Sequence, residues 1–422
     1  MKTRRWWLLN ALAFALVLAG LVLRRGELIA MALPLLLFSA AGVARPLTVQ
    51  LIIRRQLSAD HCLGGQPVTV LLEIVNEGPA AIVAYIRDLL PAGVRIHTGQ
   101  AELTTALKPG GKARVEYQVT ASRGLFRFES VYVHTQDSLG LNSWEQELSC
   151  PARLAVLPDA EELSASDLEI RPRRTRIFAG TIPARAGGVG LAYFGSRPYQ
   201  SGDALRWINW KATARRNEPI TNEFEQERAA DVGIILDARR SADVCANGSS
   251  LFEHSVKAAL SLANYFIRTG NRVGLLRYGE HLDWTAPGFG RQQQEKILEE
   301  LIDAQQGDSV VFKELENLPV WLFPTQSQLV LVSPVLRGDV EFIRYLRARE
   351  YRVLVVSPDP IAFELSGQLV EGDSALAMAM RIARLQRRAT LDKLRRAGVR
   401  VVDWNLHEPL ARALRRARRE LR

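Results

Sequence analysis

The chain has 422 residues, more than one ordinary domain needs, and its 47% apolar content is ample for folded cores, which argues against a disordered chain. The net charge is +10, but residues 381–422 hold 14 Lys/Arg against 4 Asp/Glu, so the basic character belongs to the C-terminal tail and the remainder is close to neutral. Three scattered cysteines, Cys62, Cys150 and Cys245, form no CxxC pair and argue against both a zinc site and a disulfide framework.

Residues 6–23 contain no charge, and Asn10 is their one strongly polar member. As a helix this run would span about 27 Å, close to a bilayer core. Arg24-Arg25-Gly26-Glu27 follows, then a second apolar run, residues 28–44, with Pro34 inside it. The short separation predicts a transmembrane helical hairpin over residues 1–46. A signal peptide is the alternative, since Lys2, Arg4 and Arg5 suit its basic start. The length of the first run and the presence of a second favour the hairpin. Loop bases set orientation: Lys2, Arg4, Arg5, Arg45, Arg54 and Arg55 flank the outer ends, against Arg24 and Arg25 at the tip. That bias expects both ends in the cytoplasm, with Trp6 and Trp7 at the interface. The expected location is the bacterial cytoplasmic membrane, multi-pass, with the soluble domains in the cytoplasm.

Over residues 47–158 the pattern changes to period two. Val68, Val70, Leu72 and Ile74 alternate with other residues, and Asn76-Glu77-Gly78-Pro79 supplies a turn. Ala113, Val115, Tyr117 and Val119 repeat the pattern after Pro109-Gly110-Gly111. Phe126, Phe128, Val131 and Val133 predict a further pair of strands. Short strands punctuated by such turns predict an immunoglobulin-like β-sandwich. No catalytic cluster is visible in it.

Residues 159–230 form an arginine-rich connector followed by a distinctive segment. Arg171, Arg173, Arg174, Arg176 and Arg185, with Pro172, Pro183 and Gly187-Gly188-Val189-Gly190, read as an extended link. The glycines lack the order of a phosphate loop. Residues 197–227 then read RPYQSGDALRWINWKATARRNEPITNEFEQE. Ser201-Gly202-Asp203 predicts a tight turn, with Gly202 free to take positive φ. Asp203 is expected to cap a helix over residues 204–215, with Trp207 and Trp210 packed on a neighbouring sheet. Pairing between its arginines and Glu218, Glu223, Glu225 or Glu227 is expected as well.

This segment resembles the signature of the bacterial family catalogued as domain of unknown function 58. The Arg123-Gly124-Phe126 step and the Asp137–Leu141 turn of the sandwich extend the resemblance. It implies a membrane-anchored protein ending in a von Willebrand factor A-like domain. It also implies work with a MoxR-type AAA+ ATPase and, in some members, a transglutaminase-like membrane protein. Candidate signature or docking residues are Arg197, Tyr199, Gly202, Asp203, Arg206, Asn209, Trp210, Lys211 and Arg215.

From residue 231 to 422 the residues themselves alternate apolar strands with helices, so a mostly parallel sheet covered on both faces is expected. The strand ends, where such folds bind ligands, carry Asp237, Tyr278, Ser333 and Ser357. In von Willebrand A domains the first strand ends in DxSxS, whose hydroxyls help to hold a cation. Here the run is Asp237-Ala238-Arg239-Arg240-Ser241. Asp237 and Ser241 are the degenerate metal-site candidates, too few oxygen ligands for a hard cation. Arg239 is expected beside Asp237, and no cofactor is expected. Asp339 is expected to cap a helix, and the last two helices to be basic on one face. There, Arg381, Arg384, Arg388 and Arg395, then Arg412, Arg415, Arg416, Arg418 and Arg419, face an anionic lipid bilayer, an acidic partner, nucleic acid or merely water.

The leading expectation is a non-enzymatic membrane adaptor or scaffold. Divalent-metal-dependent binding or hydrolysis at the strand ends is one alternative, although no nucleophile elbow, HExxH or paired-carboxylate motif is visible. Nucleic-acid binding through Trp207, Trp210, Lys211, Arg215 and Arg216 is the other. The acidic end of the same segment opposes it, and no nucleic acid is expected.

Overall fold

A computed structural model describes residues 2–44, 49–168, 182–228, 230–246, 248–308, 314–365 and 374–419. The chain forms two compact units, Met1–Leu157 and Pro158–Arg422.

In the first unit, α1 (Arg4–Val22) and α2 (Gly26–Ala44) form a hairpin. Small residues let the helices approach: Ala13 and Ala32 are buried, and a Cβ on Gly20 would lie 2.6 Å from the Ile29 side chain. Asn10 is satisfied within the hairpin, donating to Ser39 Oγ at 2.8 Å and to the Trp6 carbonyl at 2.7 Å. Among the described residues α1 is the helix long and apolar enough to cross a membrane; the apolar stretch of α2, Gly26–Ala40, is shorter.

The sandwich that follows is built from β1 (Leu51–Leu57), β2 (His61–Leu63), β3 (Val68–Asn76), β4 (Ile82–Asp88), β5 (Val94–Gly99), β6 (Glu102–Leu107), β7 (Lys112–Ala121), β8 (Gly124–Asp137) and β9 (Ser143–Leu157). One sheet runs β1-β3-β7-β5 and the other β2-β9-β8-β4-β6. All pairs are antiparallel except β2 with β9. Every second residue of β3 is buried, and Val70, Leu72 and Ile74 meet Ile86, Phe128 and Val133 in the core. The pair of strands expected around residues 126–133 is one long strand, β8, with an irregularity between Phe128 and Ser130.

Two polar features organise this unit. Arg55 was counted as a loop base flanking the membrane; instead its side chain is fully buried in the sandwich, paired with Asp88 and donating to the carbonyls of Cys150 and Ser130. Tyr117 donates to the same Asp88. The position of Arg55 on β1, one residue past the exposed Arg54, turns it inward. The second feature is the Asp137–Leu141 turn. The Asp137 carboxylate accepts from the Leu141 and Asn142 amides at 2.7 and 3.2 Å. Asn142 Nδ2 donates to the Gly42 carbonyl at 2.9 Å, and Lys2 Nζ donates to Asn142 Oδ1 at 2.8 Å. Thr3 Oγ1 donates to the Gly140 carbonyl at 2.6 Å. Both ends of the helical hairpin are thus fastened to one turn of the sandwich. All three cysteine thiols are free.

In the second unit, the connector arginines Arg171, Arg173, Arg174 and Arg176 lie outside the described residues. The glycine-rich stretch differs from the expected link. Ile182–Pro198 forms β10, paired antiparallel with β11 (Ile220–Arg228), and register shifts fall between Ala184 and Gly195. Pairing along the backbone outweighs the glycines' weak strand preference, and the bulges absorb the extra residues. Between these strands lie a short 3-10 turn, Leu205–Trp207, and α3 (Trp210–Arg216).

The main sheet has the order β16-β15-β12-β17-β18-β19. Its members are β12 (Asp231–Asp237), β15 (Arg272–Tyr278), β16 (Leu282–Gly288), β17 (Gln328–Val332), β18 (Arg352–Pro358) and β19 (Arg400–Trp404). A two-residue ladder, β13 (Cys245–Ala246) with β14 (Ser249–Ser250), directly precedes the helix that begins at Leu251. Every sheet pair is parallel except β15 with β16, an edge strand. One face is covered by α4 (Leu251–Arg268), α5 (Gly290–Ile302) and α9 (Leu410–Arg419), the other by α6 (Asp339–Ala348) and α8 (Ser374–Arg396); the short α7 is Pro360–Leu365. Gly233 on β12 leaves room for the Phe323 ring, which a Cβ would meet at 2.2 Å.

Candidate functional site

β12 is apolar to its last residue, so its carboxyl end delivers Asp237 into a dry environment where a carboxylate needs partners. Arg239, two residues on, curls back to supply them. Its Nε and Nη2 donate to the two Asp237 oxygens at 2.9 and 2.7 Å. The same guanidinium meets Asp339, the first residue of α6, at 3.1 and 2.9 Å. Ser333, just past β17, donates to Asp237 at 2.7 Å, and the Leu336 amide donates to Asp339 at 2.8 Å. These side chains are all but inaccessible, with at most 4% exposed among the three ions.

Burial opposes the Arg239 charge, but the two carboxylates more than offset it and raise the guanidinium further above its ordinary range. Burial also pushes the Asp339 carboxyl up, against the pull of Arg239. Tyr278, at the end of β15, donates to the Glu314 carbonyl, and burial pushes its hydroxyl up to about 12. The arrangement is a closed ion cluster. A guanidinium of this kind does not exchange protons near neutrality, and the phenol is held as a donor.

Two expectations are corrected here. Ser241 does not join Asp237; it is exposed in the 3-10 turn Arg240–Ala242, because the Arg239 backbone instead bridges to Gly307. Asp339 is not a side-chain cap; Gly338 holds the N-cap position, and the Asp339 carboxylate turns in toward Arg239. Among the described residues, no group of three His, Cys, Asp or Glu is placed to hold a metal ion.

The signature segment forms a clasp at the end of β10 and β11. Arg197 grips Asp203 with a fork of two bonds at 2.7 and 2.9 Å, and its Nε lies 3.5 Å from Glu223 on β11. The Arg197 bonds, helped by the Gln200 amide, hold the Asp203 carboxyl down to about 2. Gly202 has φ of +110°, which permits the turn. Tyr199 is tied through its backbone amide to the Pro219 carbonyl at 2.8 Å. The expected cap at Asp203 is replaced by one at Asn209, whose Oδ1 accepts from the Ala212 amide at 3.0 Å. Asp203 is already committed to Arg197 and is too far upstream. Asn209 Nδ2 also donates to Asn222 at 2.9 Å, joining α3 to β11.

The two tryptophans part company. Trp207 packs against Phe224 at 5.9 Å between ring centroids, and the Arg206 guanidinium lies 5.4 Å from the Trp207 ring centroid. Trp210 does not pack on the sheet; it and Leu205 are each 70% exposed. Lys211 and Arg215 stand exposed on the same helix. Arg197, Tyr199, Gly202, Asp203 and Asn209 therefore build the clasp, while Arg206, Trp210, Lys211 and Arg215 face outward from it.

Some features of this unit had no local signal in the sequence. His254 on α4 contacts the rings of Phe363 and Trp404 at 5.5 and 6.3 Å, and burial lowers its imidazole below the ordinary value. It lines a cleft of about 260 Å³ with Glu161 and Lys257. The Glu161 carboxylate accepts from the Leu410 and Ala411 amides, capping α9 from the start of the unit. On α9, Leu410 and Leu414 are buried while Leu421 lies outside the described residues. Its arginines do not all face water: Arg415 pairs with Asp167, Arg416 with Glu408, and Arg418 donates to the Ser166 carbonyl.

Comparison with known proteins adds a family resemblance over the second unit. Among solved structures, the PapD-like domain 7 of human CEP192 is 15% identical, covering 28% of this chain and 94% of its own, with a TM-score of 0.20. The CARDB domain of PF1109 from Pyrococcus furiosus is also 15% identical, covering 27% and 95%, with a TM-score of 0.20. Uncharacterized protein YeaD of Bacillus subtilis is 26% identical over 232 residues, 54% of this chain; the match spans 55% of the length of that relative. Uncharacterized protein Rv1480 of Mycobacterium tuberculosis is 26% identical over 216 residues, 49% of this chain and 67% of its own length. Residues 195–397, from the end of β10 to the end of α8, match the family described as protein of unknown function DUF58.

Proposed function

We propose that the chain is a non-enzymatic, membrane-anchored adaptor that presents the outer face of the clasp to a partner protein. The observation that carries this reading is the exposed set Leu205, Trp210, Lys211 and Arg215, held on a turn that Arg197, Asp203 and Asn209 make rigid. An exposed tryptophan and arginine beside a rigid support are the residue types that dominate protein interfaces. The partner is a MoxR-type AAA+ ATPase, as the family resemblance implies, with a transglutaminase-like membrane protein as a further member of the assembly.

The rest of the reading follows from the two units. The sandwich is immunoglobulin-like, and the second unit is a von Willebrand factor A-like domain in which Arg239 stands between the carboxylates in place of a cation. The anchor is the hairpin of α1 and α2, supported by the length of α1 and by the large side chains that α1 exposes, Leu8, Leu12, Phe14, Leu18 and Leu21 among them. It is multi-pass, with both ends in the cytoplasm. Arg55, being buried, leaves the orienting count, and the remaining bases still favour the outer ends over Arg24 and Arg25.

The test is association of the full chain, solubilised in detergent, with a MoxR-type ATPase, with and without a non-hydrolysable nucleotide. A nucleotide-sensitive complex is expected. No complex in either condition counts against the reading.

A further inference from the structure

Among the described side chains of α8, the buried ones lie near its C-terminal end. Leu391 and Leu394 enter the core, and Arg387 latches the same face by donating to the Pro334 carbonyl at 2.9 Å and to Asp403 at 2.7 Å. On the opposite side, Met378, Ile382 and Leu385 are 60%, 48% and 59% exposed. Their i, i+4, i+7 spacing draws them into one narrow stripe pointing away from the fold. A helix of a globular domain turns such a stripe inward; here it points out while the inward face is satisfied. Arg381, Arg384 and Arg388 flank the stripe on one side, all exposed. Residues 374–391 contain no acidic side chain.

We propose that the N-terminal half of α8 lies on an anionic lipid surface, with its apolar stripe in the interface and its arginines at the headgroups. The inference rests on the membrane-anchored part of the reading above, and not on the ATPase partnership. An outward apolar stripe with basic flanks is the pattern of an interfacial helix. A second copy of the same helix would bring arginines against arginines with no acid in the segment to balance them, whereas anionic lipid complements them. The anchor in the same chain keeps a bilayer within reach and makes modest lipid affinity effective. The contrast with α9 supports the choice: three of its arginines are engaged within the unit.

The test uses the full chain in nanodiscs of phosphatidylcholine alone or mixed with phosphatidylglycerol, read by hydrogen exchange. Exchange over residues 377–390 should slow at least about fivefold in the anionic discs. High salt should weaken the effect, and Ile382→Asp should abolish it without changing exchange at Leu391 or in β19. Equal exchange in both lipids overturns the proposal, as does slowing that appears only when an acidic protein partner is added. Failure of the chain to co-elute with the discs instead refutes anchoring. In that case sedimentation with phosphatidylglycerol vesicles decides α8: binding lost in Ile382→Asp supports the proposal, and no binding contradicts it.

Discussion

Arg239 and Arg55 do the same physical work in separate units. Each is an arginine in a dry interior, kept there by carboxylates that would themselves be costly to bury alone. Arg239→Met leaves Asp237 and Asp339 facing each other without a cation, and it should destabilise the second unit by about 3–5 kcal/mol. Denaturant unfolding followed by exchange in β12 checks this; an unchanged midpoint would mean that the cluster is not a structural lock. Asp203 gives a pH prediction. Its carboxyl is held down to about 2 by the Arg197 fork, against an ordinary value of 3.8, so the ionised form is favoured in the folded clasp. Its stabilisation is therefore complete above the ordinary value and disappears as pH falls toward about 2. Protection of the Gln200 amide, its exchange measured against the intrinsic rate at each pH, should fall across that window in the native protein, and Asp203→Asn should lower it already at neutral pH. The Asp237–Arg239 pairing was legible in the sequence because the residues are two apart. Asp339 as third member was not, because it lies 100 residues away and only the parallel order of the sheet brings it in. Arg55 misled for a related reason: next to a membrane run it reads as a loop base, and only the strand register turns it toward Asp88.

At the scale of elements, the period-two pattern of β3 and the apolar run of β12 were readable because each element is buried in the way its residues advertise. β10 was not, since three glycines in a short stretch read as a break and the partner strand comes after α3. The clasp was half legible. The pairing of its arginine with acids was expected, but the exchange of cap from Asp203 to Asn209 depends on which carboxylate Arg197 claims first. The turn at Asp137 shows how a short loop can serve two elements at once. It closes β8 onto β9 and holds both ends of the helical hairpin through Asn142, Lys2 and Thr3. Asn142→Ala removes bonds to Gly42, Lys2 and Asp137 together, and should cost about 1–3 kcal/mol locally. Protease susceptibility of the full chain in detergent near residues 45–48 is the readout. Unchanged cleavage there would mean that the hairpin is not held by this turn.

For the whole molecule, these locks converge on one design. Among the described residues, the Arg55–Asp88 and Asp237–Arg239–Asp339 clusters are closed around their own partners, and the exposed surfaces include a basic, tryptophan-bearing face on the clasp and an apolar, arginine-flanked stripe on α8. On the reading proposed above, the first of these faces meets a partner protein and the second meets lipid. The most direct measurement is the affinity of the full chain for a MoxR-type ATPase, comparing the native protein with the Trp210→Ala, Lys211→Glu double variant at equal thermal stability. The adaptor account predicts at least about a tenfold loss of affinity, since an exposed aromatic anchor and a charge are removed together. Binding that is unaffected by the double substitution, with the clasp still folded, would contradict it.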